Sequence, residues 1–305
     1  MLWYEKLDKK IAAYLPDLPV ENDVPMAKYT SFRVGGPARR MAFPHTPEQM
    51  VLLVNFAREC EAHPLVIGNG TNLLIPDEGL ERLVINTRDM ALIEQGSDEN
   101  EIIAQSGTPL VKLANFACAQ GLTGLEFAHG IPGSVGGAIC MNAGAYGGEM
   151  KQVVTSVVVL FPEEGVKLLQ GEEMDFAYRH SLLSNHPDAV VLYAVFRLNP
   201  GDSGEIRGRM DELMARRKAS QPLEWPSAGS TFKRPTGYFA GTLIDQTGLK
   251  GLTIGGAQVS EKHAGFVINR GGATFADVMA VISEVQERVY KAHGVKLEPE
   301  VRIIR

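Results

Sequence analysis

Residues 130–148, GIPGSVGGAICMNAGAYGG, restrict what this chain can become more than any other stretch. Seven of the nineteen residues are glycine, Pro132 stands among them, and no side chain there carries a formal charge. Glycine gives up more conformational freedom on folding than any other residue, so a dense run of it is costly unless the backbone must bend or be approached closely. Two readings meet that requirement. In one the run is a cradle, whose successive bare amides form a concavity that holds a phosphate without help from lysine. In the other it is a series of tight turns between short strands. A membrane span is excluded, because Pro132, Asn142 and the glycines interrupt the apolar helix of about 20 residues that crossing a bilayer needs.

At 305 residues the chain has room for two or three domains. Apolar residues make up 45% and charged residues 22%, ordinary values for a globular protein. The net charge of −6 argues against nucleic acid as a partner but leaves room for a local basic pocket. Cys60, Cys118 and Cys140 are odd in number, widely spaced and in no metal-ligand pattern. Reduced thiols in a cytoplasmic protein, and no metal, are the expectation. The opening MLWYEKLDKK has acidic residues and no apolar core, so a secretory signal is not expected.

Along the chain, residues 1–28 read as a lead-in with little pattern, and residues 29–37 (YTSFRVGGP) as an extended piece ending in a turn. A helix then opens at Thr46, with Pro47 first and Gln49 completing a capping box ahead of Met50, Leu53, Val54 and Ala57. Residues 65–67 suggest a short buried strand leading into Gly68-Asn69-Gly70-Thr71-Asn72. Leu73 stands where the third glycine of G-x-G-x-x-G belongs, so the Rossmann fingerprint is not met. The loop still offers amides and neutral donors to a pyrophosphate, against the alternative of an Asx-type turn.

Strands are expected at 83–86, 102–105, 153–161 and 189–198, and a helix with Thr108 as N-cap, Pro109 first and Gly121 as its stop. The polar run 199–204 is the clearest boundary. Beyond it the spacing predicts a helix over 205–218, closed by Arg216, Arg217 and Lys218, where cations complement the helix dipole. A small-residue turn at 226–235 sets Ser230 beside Lys233 and Arg234. Short strands at 252–254 and 265–268 precede a long helix running from a Thr274/Asp277 capping box to Gly294. Pro299 then suggests an edge strand or a loop entering one.

Five blocks in fixed order carry a resemblance: Gly68-Asn-Gly-Thr-Asn-Leu, Gly130-Ile-Pro-Gly-Ser-Val-Gly-Gly, Tyr178-Arg-His-Ser, Gly229-Ser-Thr-Phe-Lys-Arg-Pro and Glu298-Pro-Glu-Val-Arg. Together they resemble the UDP-N-acetylenolpyruvoylglucosamine reductase (MurB) family, from about Tyr29 to Arg302. The short connection after Tyr178 is similar to the smaller form of that family, which lacks an inserted substrate-covering loop. The resemblance implies an α+β fold with an FAD-binding domain of the PCMH type over 29–200, made of two α+β subdomains (29–88 and 89–200). A C-terminal α+β substrate-binding domain over 205–305 would follow, its last strand returning to the active site. It also implies noncovalent FAD, NADPH as co-substrate and a UDP-sugar enolpyruvyl ether as substrate, in peptidoglycan precursor synthesis, with a monomer in the cytoplasm expected.

In that family a hydride passes from NADPH to the flavin and on to C3 of the enolpyruvyl ether, leaving negative charge at C2 that spreads into the carboxylate. Arg179 takes the place of the family's arginine, and a permanently charged, forked guanidinium suits that charge. Ser230 takes the place of the proton donor. Glu300 joins Arg179 in polarising the intermediate; a carboxylate aids an enolate only when it holds a proton or works through a neighbour. The implied cofactor contacts are Gly68, Asn69, Gly70, Thr71, Asn72, Gly133, Ser134, Val135, Gly137 and Ala138. The implied substrate contacts are Tyr178, Lys218, Lys233 and Arg234, the cations serving the UDP phosphates; some members carry asparagine where Arg234 stands. Without the five blocks, Arg179 reads as a surface ion pair, Ser230 as a turn residue and Glu300 as a solvated strand residue.

Overall fold

The computed structural model describes residues 1–304. By compactness the chain forms two units, one made of Met1–Asn22, Arg40–Asn69 and Arg82–Ala215, the other of Asp23–Arg39, Gly70–Glu81 and Arg216–Arg305.

The first unit is built on a five-stranded antiparallel sheet in the order Gly165–Gln170, Val154–Phe161, Val190–Arg197, Glu101–Gln105, Ile93–Gln95. Val154–Phe161 reads VTSVVVLF, β-branched residues that fit a pleated surface. Successive side chains point to opposite faces. Val157 and Val159 pack with Leu110, Leu113 and Ile139 on one side, while Val158 and Leu160 pack with Leu53, Val54 and Leu83 on the other. With both faces covered, the strand has no polar alternation to show.

Helices α1 (Trp3–Tyr14) and α2 (Pro47–Glu59) supply residues to the second of these cores, and α3 (Leu110–Ala119) and α4 (Val135–Met141) to the first. At the start of α2 Thr46 Oγ1 accepts from the amide of Gln49 at 3.2 Å, as expected, but the Gln49 side chain accepts from His45 N at 2.8 Å instead of closing the box on Thr46. Three other sequence expectations need correction. The lead-in contains α1, anchored by buried Leu7 and Ile11, too few apolar positions to announce a helix among so many charges. Pro109, not Thr108, is the N-cap of α3, because the carbonyl of Thr108 accepts from Val135 N and its hydroxyl turns to Leu92 O at 3.3 Å. The glycine stretch is also more than turns, since residues 135–141 form α4.

The second unit has its own core, in which Val278, Val281, Ile282, Val285 and Val289 of α7 (Phe275–His293) pack with Ile244 and Val259. A three-stranded antiparallel sheet (Thr253–Ile254, Ala257–Val259, Val267–Asn269) and α6 (Ala240–Gln246) complete it. The intervening helix α5 (Ser203–Ser220) buries Ile206, Met210 and Leu213 along the predicted stripe. Arg302–Ile303 pairs parallel with Leu73–Leu74. The units are discontinuous, where the sequence suggested contiguous blocks at 29–88, 89–200 and 205–305. The reason lies in the second core, which takes Phe32, Val34 and Leu74 from the N-terminal third. Among the described residues no helix is long and apolar enough to cross a membrane, and no cluster of His, Cys, Asp or Glu could hold a metal ion.

Candidate functional site

In the first unit the two glycine loops meet. The strand Leu65–Ile67, parallel to residues 84–86, delivers Gly68 so close to Ser134 that a Cβ there would lie 2.1 Å from Ser134 Oγ. Asn69 Nδ2 donates to Pro132 O at 3.0 Å. From the other side, Leu110 N donates to Gly133 O (3.0 Å), Val135 N to Thr108 O (2.9 Å) and Gly136 N to Ser106 O (2.7 Å). Val135 and Ala138 are buried and spend their amides inside the chain, Ala138 on Ser134 O. Ser134 Oγ and Ser106 Oγ are buried with no hydrogen-bond partner, an arrangement native interiors rarely tolerate without a reason.

The same stretch positions Arg179. Helix α4 ends at Asn142, buried and left-handed at φ 41. Its amide nitrogen donates to Ala177 O (3.1 Å) and Glu149 Oε2 (3.2 Å), and its side-chain oxygen accepts from Lys151 N (2.9 Å). Ser181 Oγ donates to Cys140 O at 2.9 Å. Between these two anchors, Ala177 and His180 exchange both backbone hydrogen bonds, and Tyr178 and Arg179 form the tip of a tight turn. Arg179 lies at φ 54, a left-handed conformation costing an L-residue about 1–2 kcal/mol. Its guanidinium sits 5.3 Å from the Tyr178 ring centroid, and Tyr178 is 57% exposed. Asn142 and Ser181 were not among the expected site residues; asparagine closing a glycine-rich run is a left-handed cap signal that could have found the first.

The second unit brings Ser230 and Glu300 onto adjoining segments. Glu300 N donates to Thr231 O (2.8 Å), Lys233 N to Glu298 O (2.9 Å), and Phe232 bridges Pro299 in antiparallel fashion. Thr231 is buried; its amide donates to Gly265 O and its hydroxyl accepts from Val267 N, both at 2.9 Å. Asn72 Nδ2 donates to Glu300 O (3.0 Å), while Asn72 O accepts from Arg302 N (2.9 Å). Thus Asn72, expected to face a cofactor, uses its side-chain amide to hold the Glu300 segment. Ser31, which no motif singled out, donates from Oγ to Ser227 O at 2.6 Å, and its amide donates to Gly70 O. Gly70 is left-handed, and a Cβ there would stand 1.9 Å from Tyr29 O.

The expected anion contacts are held as follows. Lys233 pairs with Glu298 at 3.5 Å on the surface. The Arg234 guanidinium lies 3.9 Å from the ring centroid of Phe239. Lys218 O, in the last turn of α5, accepts from Lys262 Nζ at 2.7 Å. Tyr178 and Arg179 therefore belong to the first unit, and Ser230, Glu300, Lys218, Lys233 and Arg234 to the second. The glycine loop itself divides, Gly68 and Asn69 in the first and Gly70, Thr71 and Asn72 in the second.

A family model described as UDP-N-acetylenolpyruvoylglucosamine reductase, C-terminal domain, matches residues 221–304, and one described as FAD binding domain matches residues 38–167. A UDP-N-acetylenolpyruvoylglucosamine reductase of Pediococcus pentosaceus is 49% identical over 298 residues, 98% of this chain and 98% of that protein. The protein of the same description from Geobacillus thermodenitrificans is 47% identical over 300 residues, again 98% of each. Among solved structures, the UDP-N-acetylenolpyruvylglucosamine reductase (MurB) of Thermus caldophilus superposes with a TM-score of 0.80 at 37% identity, covering 94% of this chain and 100% of that one.

Proposed function

The chain belongs to the UDP-N-acetylenolpyruvoylglucosamine reductase family, and from that premise we infer that it is an FAD-dependent oxidoreductase that reduces this sugar nucleotide with NADPH, its chemistry carried by Arg179, Ser230 and Glu300. The product, UDP-N-acetylmuramate, is a precursor of peptidoglycan. In the same reading the enzyme acts as a monomer in the cytoplasm, where three free cysteines are at home.

The first unit fits a flavin dinucleotide on two counts. Gly68 lets the two glycine loops approach where any Cβ would collide with Ser134, and Ser134 Oγ is a buried hydroxyl still lacking a partner. Gly68, Asn69, Gly133, Ser134 and Gly137 would hold the cofactor, on loops built by Val135 and Ala138; Gly70, Thr71 and Asn72 are assigned to it from the second unit. When bound, FAD would supply the hydride transfer that links NADPH to C3 of the enolpyruvyl ether.

The protein's own groups have two tasks: to hold the negative charge that then appears at C2 and the carboxylate, and to supply a proton to C2. Arg179 is assigned the first, as a fixed charge able to fork onto a carboxylate. Ser230 Oγ is assigned the second. A hydroxyl is a weak acid, and serves only if held within hydrogen-bond reach of a basic carbon. Glu300 is assigned to join Arg179 in polarising the intermediate, as a carboxyl that holds a proton or works through a neighbour, and Lys218, Lys233, Arg234 and Tyr178 are assigned to the UDP portion.

The observation that carries the assignment is the bond from Glu300 N to Thr231 O at 2.8 Å, which fixes the segments of Ser230 and Glu300 side by side although seventy residues separate them in sequence. The test separates the two half-reactions. Ser230→Ala protein should still be bleached by NADPH at 450 nm, whereas its reoxidation by the enolpyruvyl sugar nucleotide should slow by about 10²–10³, the usual loss for one preorganised donor. Stopped-flow traces showing reoxidation at the parent rate would remove Ser230 from its role.

A further inference from the structure

We propose that His263 is a positioning residue for the reduction, acting through Gly265 on the segment that carries Ser230. The role rests on the function inferred above. His263 lies in the turn between Ala257–Val259 and Val267–Asn269. Ser260 Oγ accepts from the amides of Lys262 and His263, each at 3.2 Å, and fixes the entry to that turn. His263 Nδ1 then accepts from Gly265 N at 3.1 Å. The carbonyl of Gly265, in the following peptide, accepts from Thr231 N at 2.9 Å, and Thr231 O accepts from Glu300 N at 2.8 Å. Imidazole, Gly265, the residue after Ser230 and Glu300 are thus linked residue to residue by hydrogen bonds that fix one position against the next.

The space around the ring has been cleared for it. A Cβ on Gly265 would lie 3.0 Å from His263 Cε1 and 3.2 Å from Nδ1, and one on Gly241 would lie 3.4 Å from Cε1. The ring edge therefore rests against the backbones of Gly265, where a side chain would crowd it, and Gly241, with Phe266 packed T-shaped at 4.9 Å. Accepting a bond at Nδ1 requires a neutral ring carrying its proton on Nε2. Burial is the main cause holding the imidazolium below its usual range, and the charge of Lys250 adds to it.

The order bears on Ser230 because the segment is pinned at Ser227 and at Thr231, with Ser230 between those anchors. Gly229 before it is left-handed with open space around it, so the following residue, Thr231, sets where the hydroxyl points. Loss of the acceptor at 263 leaves Phe266 N to His263 O, at 3.0 Å, as the bond closing the turn, and the placement of Gly265 O under Thr231 N loosens.

Two substitutions in the FAD-loaded protein separate this role from packing. His263→Phe keeps a ring against Phe266 and Gly241 but removes the acceptor, whereas His263→Asn offers an oxygen to the same amide two residues on, as Asx turns do. With His263→Phe, bleaching by NADPH stays within about twofold of the parent, while reoxidation by the enolpyruvyl sugar nucleotide slows about tenfold or more, as small misplacements of a reacting group do; His263→Asn recovers to within about threefold. Reoxidation of His263→Phe at the parent rate overturns the proposal. Equal slowing in both variants overturns it too, by assigning the effect to the ring's bulk, and so does a variant that no longer takes up FAD. Parent protein that the sugar nucleotide fails to reoxidise defeats the inferred function, a different result from any of these.

Discussion

A methyl group at Gly68 would meet Ser134 twice, at 2.1 Å from Oγ and 3.2 Å from Cβ. The hydroxyl can swing aside but the Cβ belongs to a buried residue that bridges Pro109, so the two loops must separate. Gly68→Ala should destabilise the protein by about 1–3 kcal/mol, as overpacking does, and lower the ratio of 450 nm to 280 nm absorbance in the purified protein. Ser134→Ala behaves in the opposite way. Its hydroxyl has no partner to lose, and burying an unsatisfied group is costly. The cofactor-free variant should melt at or slightly above the parent temperature, yet hold flavin more weakly in a fluorescence titration. If both variants keep full flavin, neither loop serves it. The residue types in these loops were legible in the sequence, because glycine and small hydroxyl residues announce a close approach. Their partnership was not, since sixty-odd residues separate them and no local rule links strand end to helix start.

Helix α7 shows the opposite case, an element whose sequence states its own ends. Thr274 Oγ1 accepts from Asp277 N, and the Asp277 carboxylate accepts from Thr274 N at 3.0 Å and Gly256 N at 3.1 Å. The amide of Thr274, then that of Gly256, hold the Asp277 carboxyl below the usual carboxylate range. A group whose folded pKa is depressed contributes stability that is fully present above its unfolded pKa, about 3.9, and fades as pH falls through the folded value. The melting temperature of Asp277→Asn should therefore trail that of the parent at pH 6, with the gap closing on titration from about pH 5 to pH 3. A gap that persists unchanged in calorimetry at acid pH contradicts the capping role. Helices α2 and α7 were readable because a cap and a stripe act within a few residues of each other. Helix α4 was not, for VGGAICM carries two glycines, each costing about 1 kcal/mol in a helix interior; tertiary bonds from Val135 N and Gly136 N to residues 108 and 106 overrule that cost. Of the candidate site, Ser230 and Glu300 stand in motif blocks that the sequence displays, whereas Asn142, Ser31 and His263 are singled out only by partners that folding brings to them.

At the scale of the molecule, neither unit is a continuous stretch of sequence. The second keeps Phe32, Val34 and Leu74 in its core, and Asp77 accepts from the first amide of α7, Phe275 N, at 2.8 Å. An excised fragment of residues 205–305 lacks all four, together with Asn72 and Ser31. We expect it to show poorly dispersed amide resonances and no cooperative melt; a sharp transition and a dispersed spectrum would show that the borrowed segments are dispensable. Arg179 presents a different situation, a charged residue set on a left-handed backbone that costs about 1–2 kcal/mol and that glycine would relieve. Selection for heat tolerance alone favours relaxing such a turn. On the function proposed above, growth that depends on the chemistry itself is what guards that codon.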